Sequence, residues 1–241
     1  MASIATHYIF SEDVSIHLPA QIHELIRQHS GAYHMGAQGP DLFFYDLPHL
    51  AITSKQNNIV TIMHERKTDS FLAHMLEEIA VLSREETDGG NTDALHSALA
   101  YFYGMLTHYC LDSTIHPYVY SSTTFPDTAT NAKSRSLAAH CQLESDIDEI
   151  LYQEHTGETI NNHRRSDFIA ITKKQAAAVA PVLANAINKT YGCRLSASYL
   201  RGTIARAKWT NSRLQDNTGW KKVHLTNLEH KLTGSSVGTS L

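Results

Sequence analysis

The sequence predicts an all-α protein, a single-domain bundle of several helices, and three observations predict it. Apolar residues recur at spacings of three and four along most of the chain. Strand-like alternation is scarce, with Ile59 to Ile62 the best candidate and a poor one. A length of 241 residues suits one sizeable domain better than two. Hydrophobic residues at 42% and charged residues at 18% exclude a disordered chain.

Residues 19–29 place Ile22, Leu25 and Ile26 on one helical face. From 31 to 60 the chain reads as a long irregular passage, which in a compact domain points to function. Helical spacing resumes over 69–84 through Phe71, Leu72, Met75, Leu76, Ile79 and Leu82. Asp88-Gly89-Gly90 signals a turn and Asn91 a cap, opening a long apolar-rich helix over 92–115. Pro117 should stop it near His116, because a residue before proline is pushed out of the helical region. Residues 133–154 and 166–190 are again helical, with Pro181 expected to kink the second and Gly192 to end it. Residues 196–214 and 221–231 complete the set. The Gly/Ser-rich end, 233–241, reads as a disordered tail, leaving 1–232 as the domain.

No apolar run approaches the ~18 residues of a transmembrane helix. The first residues lack a basic stretch followed by an apolar one, so no secretory leader is expected. Three cysteines cannot form a disulfide framework, which fits a reducing compartment and a cytoplasmic location. Charge is unevenly divided. Residues 1–193 hold 12 basic and 22 acidic side chains, whereas 194–241 hold 8 basic and 2 acidic. The larger part repels nucleic-acid backbones. The basic end is either a solvated surface or a contact for an anionic partner, including peripheral contact with a membrane. Trp209 and Trp220 there fit core packing or a membrane surface.

The chemistry follows from 16 histidines against 20 Lys plus Arg, since imidazole is the commonest protein ligand for transition metals. His108, Asp112 and His116 recur every fourth residue, so they project from one helical face. Two imidazoles and a carboxylate in an apolar helix are costly to bury without a partner, and a divalent metal satisfies all three. The alternative is a His108–Asp112 hydrogen bond with His116 at the surface. A second row, His140, Glu144 and Asp148, repeats the spacing beside Leu137, Leu143, Ile147 and Ile150. Two facing helices, each with a histidine and a carboxylate one turn apart, are how bundles build metal centres. Asp148 reads as a solvated acid or an orienting partner of His140 rather than a ligand. Cys110 and Cys141 read as buried, inert thiols. Gly36 and Gly39 read as turn glycines that place Asp41. His17, His23, His29 and His34 read as surface residues, although His34 is near enough to Asp41 in sequence to line a cleft.

These pieces together resemble a known family. Thr6-His7-Tyr8-Ile9-Phe10, Gly36-Ala-Gln-Gly-Pro-Asp41-Leu-Phe-Phe-Tyr45, His108-x3-Asp112-x3-His116-Pro117 and His140-x3-Glu144 resemble the bacterial zinc-dependent phospholipase C family, over about residues 5–150 and in the family's order. The resemblance is closest to its shorter, intracellular-looking members. It implies an all-helical fold with up to three zinc ions in a cleft. Asp41, His64 and His108 would hold one ion, with Asp112 bridging to a second held by His7; His116, His140 and Glu144 would hold the third. His74 and His49 are the alternatives to His64. The chain departs from the family's pattern in lacking an N-terminal Trp and a membrane-docking C-terminal module. The interval between Asp112 and His116 is also two residues shorter than in the secreted enzymes.

The resemblance implies a zinc-dependent phosphodiester hydrolase, phospholipase C-like, with two or three Zn²⁺ and a phospholipid-like substrate. A zinc site with an open position lowers the pKa of bound water from about 15.7 towards about 7. Asp41 would be the general base. Two other readings stay open. One is a zinc-dependent single-strand nuclease-like phosphodiesterase, in which Phe43, Phe44 and Tyr45 stack bases instead of lining a lipid cleft. The other is a non-catalytic helical protein stabilised by its metals.

Overall fold

The computed structural model describes residues 4–45, 59–87, 91–126 and 132–214, and the regular elements there are all helical. The α-helices are α1 (Ile4–Ser15), α2 (Ala20–Gln28), α3 (Ser30–Ala37), α4 (Ile59–Glu65), α5 (Thr68–Thr87), α6 (Thr92–Thr123), α7 (Ala132–Thr156), α8 (Lys173–Tyr191) and α9 (Ala197–Leu214). Short 3-10 segments span Gly39–Tyr45, Ile160–Asn162 and Arg165–Ile169. His49, the 88–90 turn, Trp220, the 221–231 helix and the 233–241 tail lie outside the described residues.

Helix α6 is the central element, packed by α1, α3, α5, α7 and α8. Its inward face carries Ala98, Tyr101, Met105, His108 and Asp112, so apolar packing passes into the polar row within one helix. Asn91 caps it by accepting the Ala94 N–H. Helix α3 packs against α6 at backbone distance. A Cβ at Gly104 would overlap the Tyr33 carbonyl oxygen, and one at Gly36 would overlap that of Tyr101. Gly104→Ala is therefore expected to cost about 3 kcal/mol, because neither helix backbone can retreat without opening the core. Urea unfolding checks this, and a loss under about 0.5 kcal/mol would show a looser α3–α6 contact than the structure has.

Several expectations are corrected. The 31–60 passage is helical where described: α3, the 3-10 segment and α4 lie within it, and the strand candidate Ile59–Ile62 belongs to α4. Gly36 lies inside α3 rather than in a turn. Gly39, at φ 53°, does form the turn that delivers Asp41, in a backbone region open to glycine. Helix α6 continues through Pro117 to Thr123. Pro117 and Ser113, the residue whose carbonyl loses its helical partner, are both exposed, so water can replace that bond, while buried Val119 and Thr123 hold the last turns in the core. Helix α8 begins only at Lys173, where Thr172 and Gln175 form a reciprocal capping box, and Gly192 ends it at φ 69°. Helix α1 was not expected. Its inner face mixes Ile4, Ala5 and Ile9 with buried Thr6, His7, Ser11 and Ser15, which removes the apolar stripe.

Candidate metal centre

The eight side chains His7, Asp41, His64, His108, Asp112, His116, His140 and Glu144 converge from α1, the Gly39–Tyr45 segment, α4, α6 and α7. Asp112 is the meeting point. Its Oδ1 lies 3.4 Å from His7 Nε2 and 3.8 Å from His116 Nε2. Its Oδ2 lies 3.2 Å from His108 Nε2 and 3.6 Å from His64 Nε2. Asp41 faces His64 Nε2 at 3.1 Å and His7 Nε2 at 3.9 Å. Glu144 faces His140 Nε2 at 2.9 Å and His116 Nε2 at 3.6 Å, so the short Asp112–His116 interval still brings His116 to the second row.

Three subsets have ligand atoms within 4.8 Å of one another: His7, His108 and Asp112; Asp41, His64 and His108; and His116, His140 and Glu144. The last two are trios that the resemblance implies. His108 occurs in both of the first two, yet its one free ring nitrogen can hold only one ion.

The backbone fixes how these rings are presented. His64 Nδ1–H donates to the Val60 carbonyl at 2.8 Å and His108 Nδ1–H to the Ala37 carbonyl at 3.3 Å. A carbonyl only accepts, so in the neutral ring each Nε2 lone pair points into the cluster. The rings of His7 and His108 stack at 4.5 Å. Gly39 permits this arrangement, since a Cβ there would strike the His108 ring.

These residues fit a divalent cation. His108 Nε2 and Asp112 Oδ2 are both buried and, among the described residues, have no hydrogen-bond partner, although they face each other at 3.2 Å. Two acceptors in that relation repel unless a proton or a metal ion lies between them. Protons cannot serve every pair. Burial, then the nearby His108, brings His7 down to about 4. Burial also pulls His64 down, but the Asp41 hydrogen bond and charge, the Val60 carbonyl and Asp112 together lift it to about 9. Burial opposes charge on Glu144, and His116 and His140 overcome it to hold its carboxyl at about 2. Asp112 is likewise held below the usual carboxylate range, its burial outweighed by the imidazoles, His108 first.

The cluster opens into a cleft of about 470 Å³, also lined by Phe44, Thr61, Glu65, Tyr120, Leu137 and Cys141. Phe44, Tyr120 and Leu137 are exposed at its wall. Phe43 turns into the core instead, and the Tyr45 hydroxyl donates to Asn211 at 3.4 Å.

Other candidates resolve differently from the sequence reading. Asp148 neither faces solvent nor hydrogen-bonds only within its own helix; its carboxylate accepts from Ala5 N–H at 3.2 Å, Thr6 N–H at 2.8 Å and the Thr6 hydroxyl at 2.7 Å. It thus caps the start of α1 from α7, one residue before His7. His74 bonds the Thr190 hydroxyl away from the cluster, whereas His64 stands within it, 3.1 Å from Asp41. His29 and His34 are buried rather than superficial, paired with Ser97 and Glu12. Cys110 is exposed and Cys141 half-buried at the cleft, because they lie two and one residues beyond His108 and His140, off the inward face. Leu137 and Ile150 are exposed beside the second row rather than buried with it.

No helix among the described residues is long and apolar enough to cross a membrane. No curated protein and no solved structure matches the chain. The model of the family described as zinc dependent phospholipase C matches residues 6–200. That span takes in His7, the Asp41 turn, His64 and both helical rows, and on its extent the chain belongs to the zinc-dependent phospholipase C family.

Proposed function

We propose that the chain hydrolyses a phosphodiester of a phospholipid-like substrate, on the glycerol side of phosphorus. The observation that carries this reading is the Asp112 carboxylate, ringed by four imidazole nitrogens within 3.8 Å and, among the described residues, without a hydrogen bond at Oδ2, at the base of an open cleft. His7, Asp41, His64, His108, Asp112, His116, His140 and Glu144 would hold two or three zinc ions, with Asp112 bridging. Zinc bound there supplies Lewis acidity and an acidified water. Asp41 receives the proton of the attacking water as general base. The Val60 carbonyl, bonded to His64 Nδ1, fixes that ring beside Asp41 with Nε2 turned to the metal position. The free thiols support a reducing, cytoplasmic setting.

The cleft favours lipid over nucleic acid. Among the described residues lining it there is no Arg or Lys to track a polyanionic backbone, whereas Phe44, Tyr120 and Leu137 present exposed apolar surface. With zinc, the protein is expected to turn over a chromogenic phosphocholine ester and to leave single-stranded DNA uncut, and Asp41→Asn is expected to lower ester turnover about 10³-fold. Faster cleavage of DNA would transfer the site to a nuclease. No turnover of either by zinc-saturated protein would leave the metals a purely structural role.

A further inference from the structure

A second concavity, about 660 Å³, lies where α8, α9 and the 3-10 segment Arg165–Ile169 meet, apart from the metal cleft. Its inner wall is apolar, formed by buried Ile171, Ala176 and Ile204. Its rim carries four cations, Arg164, Lys173, Arg201 and Lys208, and no carboxylate is among the lining residues. Residues 201, 204, 205, 208, 209 and 212 follow helical spacing, so one whole face of α9 is turned to this pocket. Among the described residues, none of the four cations has a carboxylate within salt-bridge distance; the Lys and Arg bridges present use Arg27, Lys174 and Lys189. Among the described residues the Lys208 ammonium donates to the Ile171 carbonyl alone, at 3.4 Å. Trp209 is 61% exposed at the same rim, with the Arg213 guanidinium 5.6 Å from its ring centroid.

This concentration is unusual in a chain whose first 193 residues carry 22 carboxylates against 12 cations. Uncompensated cations around a concavity repel one another, and a bound anion removes that cost. A small soluble phosphate would use the rim and leave the apolar wall and the exposed indole unexplained. An anionic amphiphile uses all three: phosphate on Arg and Lys, glycerol carbons on Ile171 and Ile204, and the indole at the water–lipid boundary. We infer that this pocket seats the phosphate headgroup of an anionic phospholipid within a bilayer, docking the protein on a membrane surface. That the docked surface also supplies the cleft's substrate rests on the proposed lipid hydrolysis; the binding does not. Helix α9 is suited to linking the two. Its Asn211 receives the hydroxyl of Tyr45, at the end of the 3-10 segment that carries Asp41 and Phe44.

The test is vesicle sedimentation of the full chain in chelator, so that metal-dependent binding in the cleft contributes nothing. Vesicles of phosphatidylcholine alone are compared with vesicles containing phosphatidylserine. Wild type is expected to partition onto the anionic vesicles and not the neutral ones. Arg201→Gln with Lys208→Gln is expected to lower that partition about 25-fold, about fivefold for each cation. Both residues are on the surface of α9, and an unchanged thermal melt verifies the fold. In a Trp220→Phe background, Trp209 emission is expected to shift to the blue on the anionic vesicles. Equal partition of the double variant and wild type would overturn the inference. So would glycerol 3-phosphate producing the same Trp209 shift at the same phosphate concentration, which would give the pocket to a soluble ester. Docking without lipid turnover would leave this inference standing and remove the catalytic one.

Discussion

Asp112→Asn is expected to lower ester turnover by about 10³-fold or more and to reduce bound zinc, while leaving the helical fold intact. The substitution preserves shape and changes one oxygen to an amide nitrogen. The two oxygens serve opposite sides of the cluster: Oδ1 faces His7 and His116, and Oδ2 faces His108 and His64. Whichever position the amide nitrogen takes, its hydrogens point at imidazole lone pairs, hydrogen-bond to them and withdraw them from a metal. A neutral amide also offers no charge with which to bridge two cations. The loss should therefore appear in both kcat and metal content, unlike a change in substrate affinity alone. Metal analysis alongside ester kinetics checks it. A variant with full zinc content and a rate within threefold of wild type would remove Asp112 from its bridging position.

The two helical rows were legible because their signal is local. His108, Asp112 and His116, and likewise His140 and Glu144, declare a shared face through four-residue spacing alone, and the structure places them there. His7, Asp41 and His64 carry no such local signal. Their convergence with α6 depends on packing between distant elements, and only the order of motifs in the resembling family pointed to them. Helix α1 was hidden for the reason it matters: its buried face is partly polar because Thr6 and His7 serve Asp148 and the cluster. Helix α3 was hidden by glycines that look like turn residues and instead let two helix backbones touch. The role of Asp148 could not be read at all, since its partners lie 142 and 143 positions away. The stop at Pro117 failed because a local steric rule was outweighed by burial of Val119 and Thr123 beyond it.

Stripping zinc is expected to lower the melting temperature by about 10 °C at pH 7.5, by an amount that grows with pH. Without a cation, Asp41, Asp112 and Glu144 bring three carboxylates together below the cleft, with His7 too depressed to carry a proton. A metal present at about 1,000 times its Kd contributes about 4 kcal/mol, and each kcal/mol moves a domain of this size by about 2–4 °C. The pH dependence follows from His64. Its folded pKa of about 9 lies above the ordinary 6.5, so in the metal-free protein it contributes stability that is complete below pH 6.5 and is lost as pH rises through 9. A metal needs the same Nε2 that holds this proton, so zinc affinity rises across the same interval. The metal-free form weakens while the zinc form strengthens, and the difference in melting temperature widens between pH 6.5 and 9. Zinc added at pH 7.5 in weak buffer should release about one proton per chain from His64, readable with an indicator dye. His64→Ala should abolish most of that release. A melting difference constant over this range, or zinc uptake without proton release, would place His64 outside the metal-binding set, because a ring that binds metal through Nε2 cannot keep its proton there.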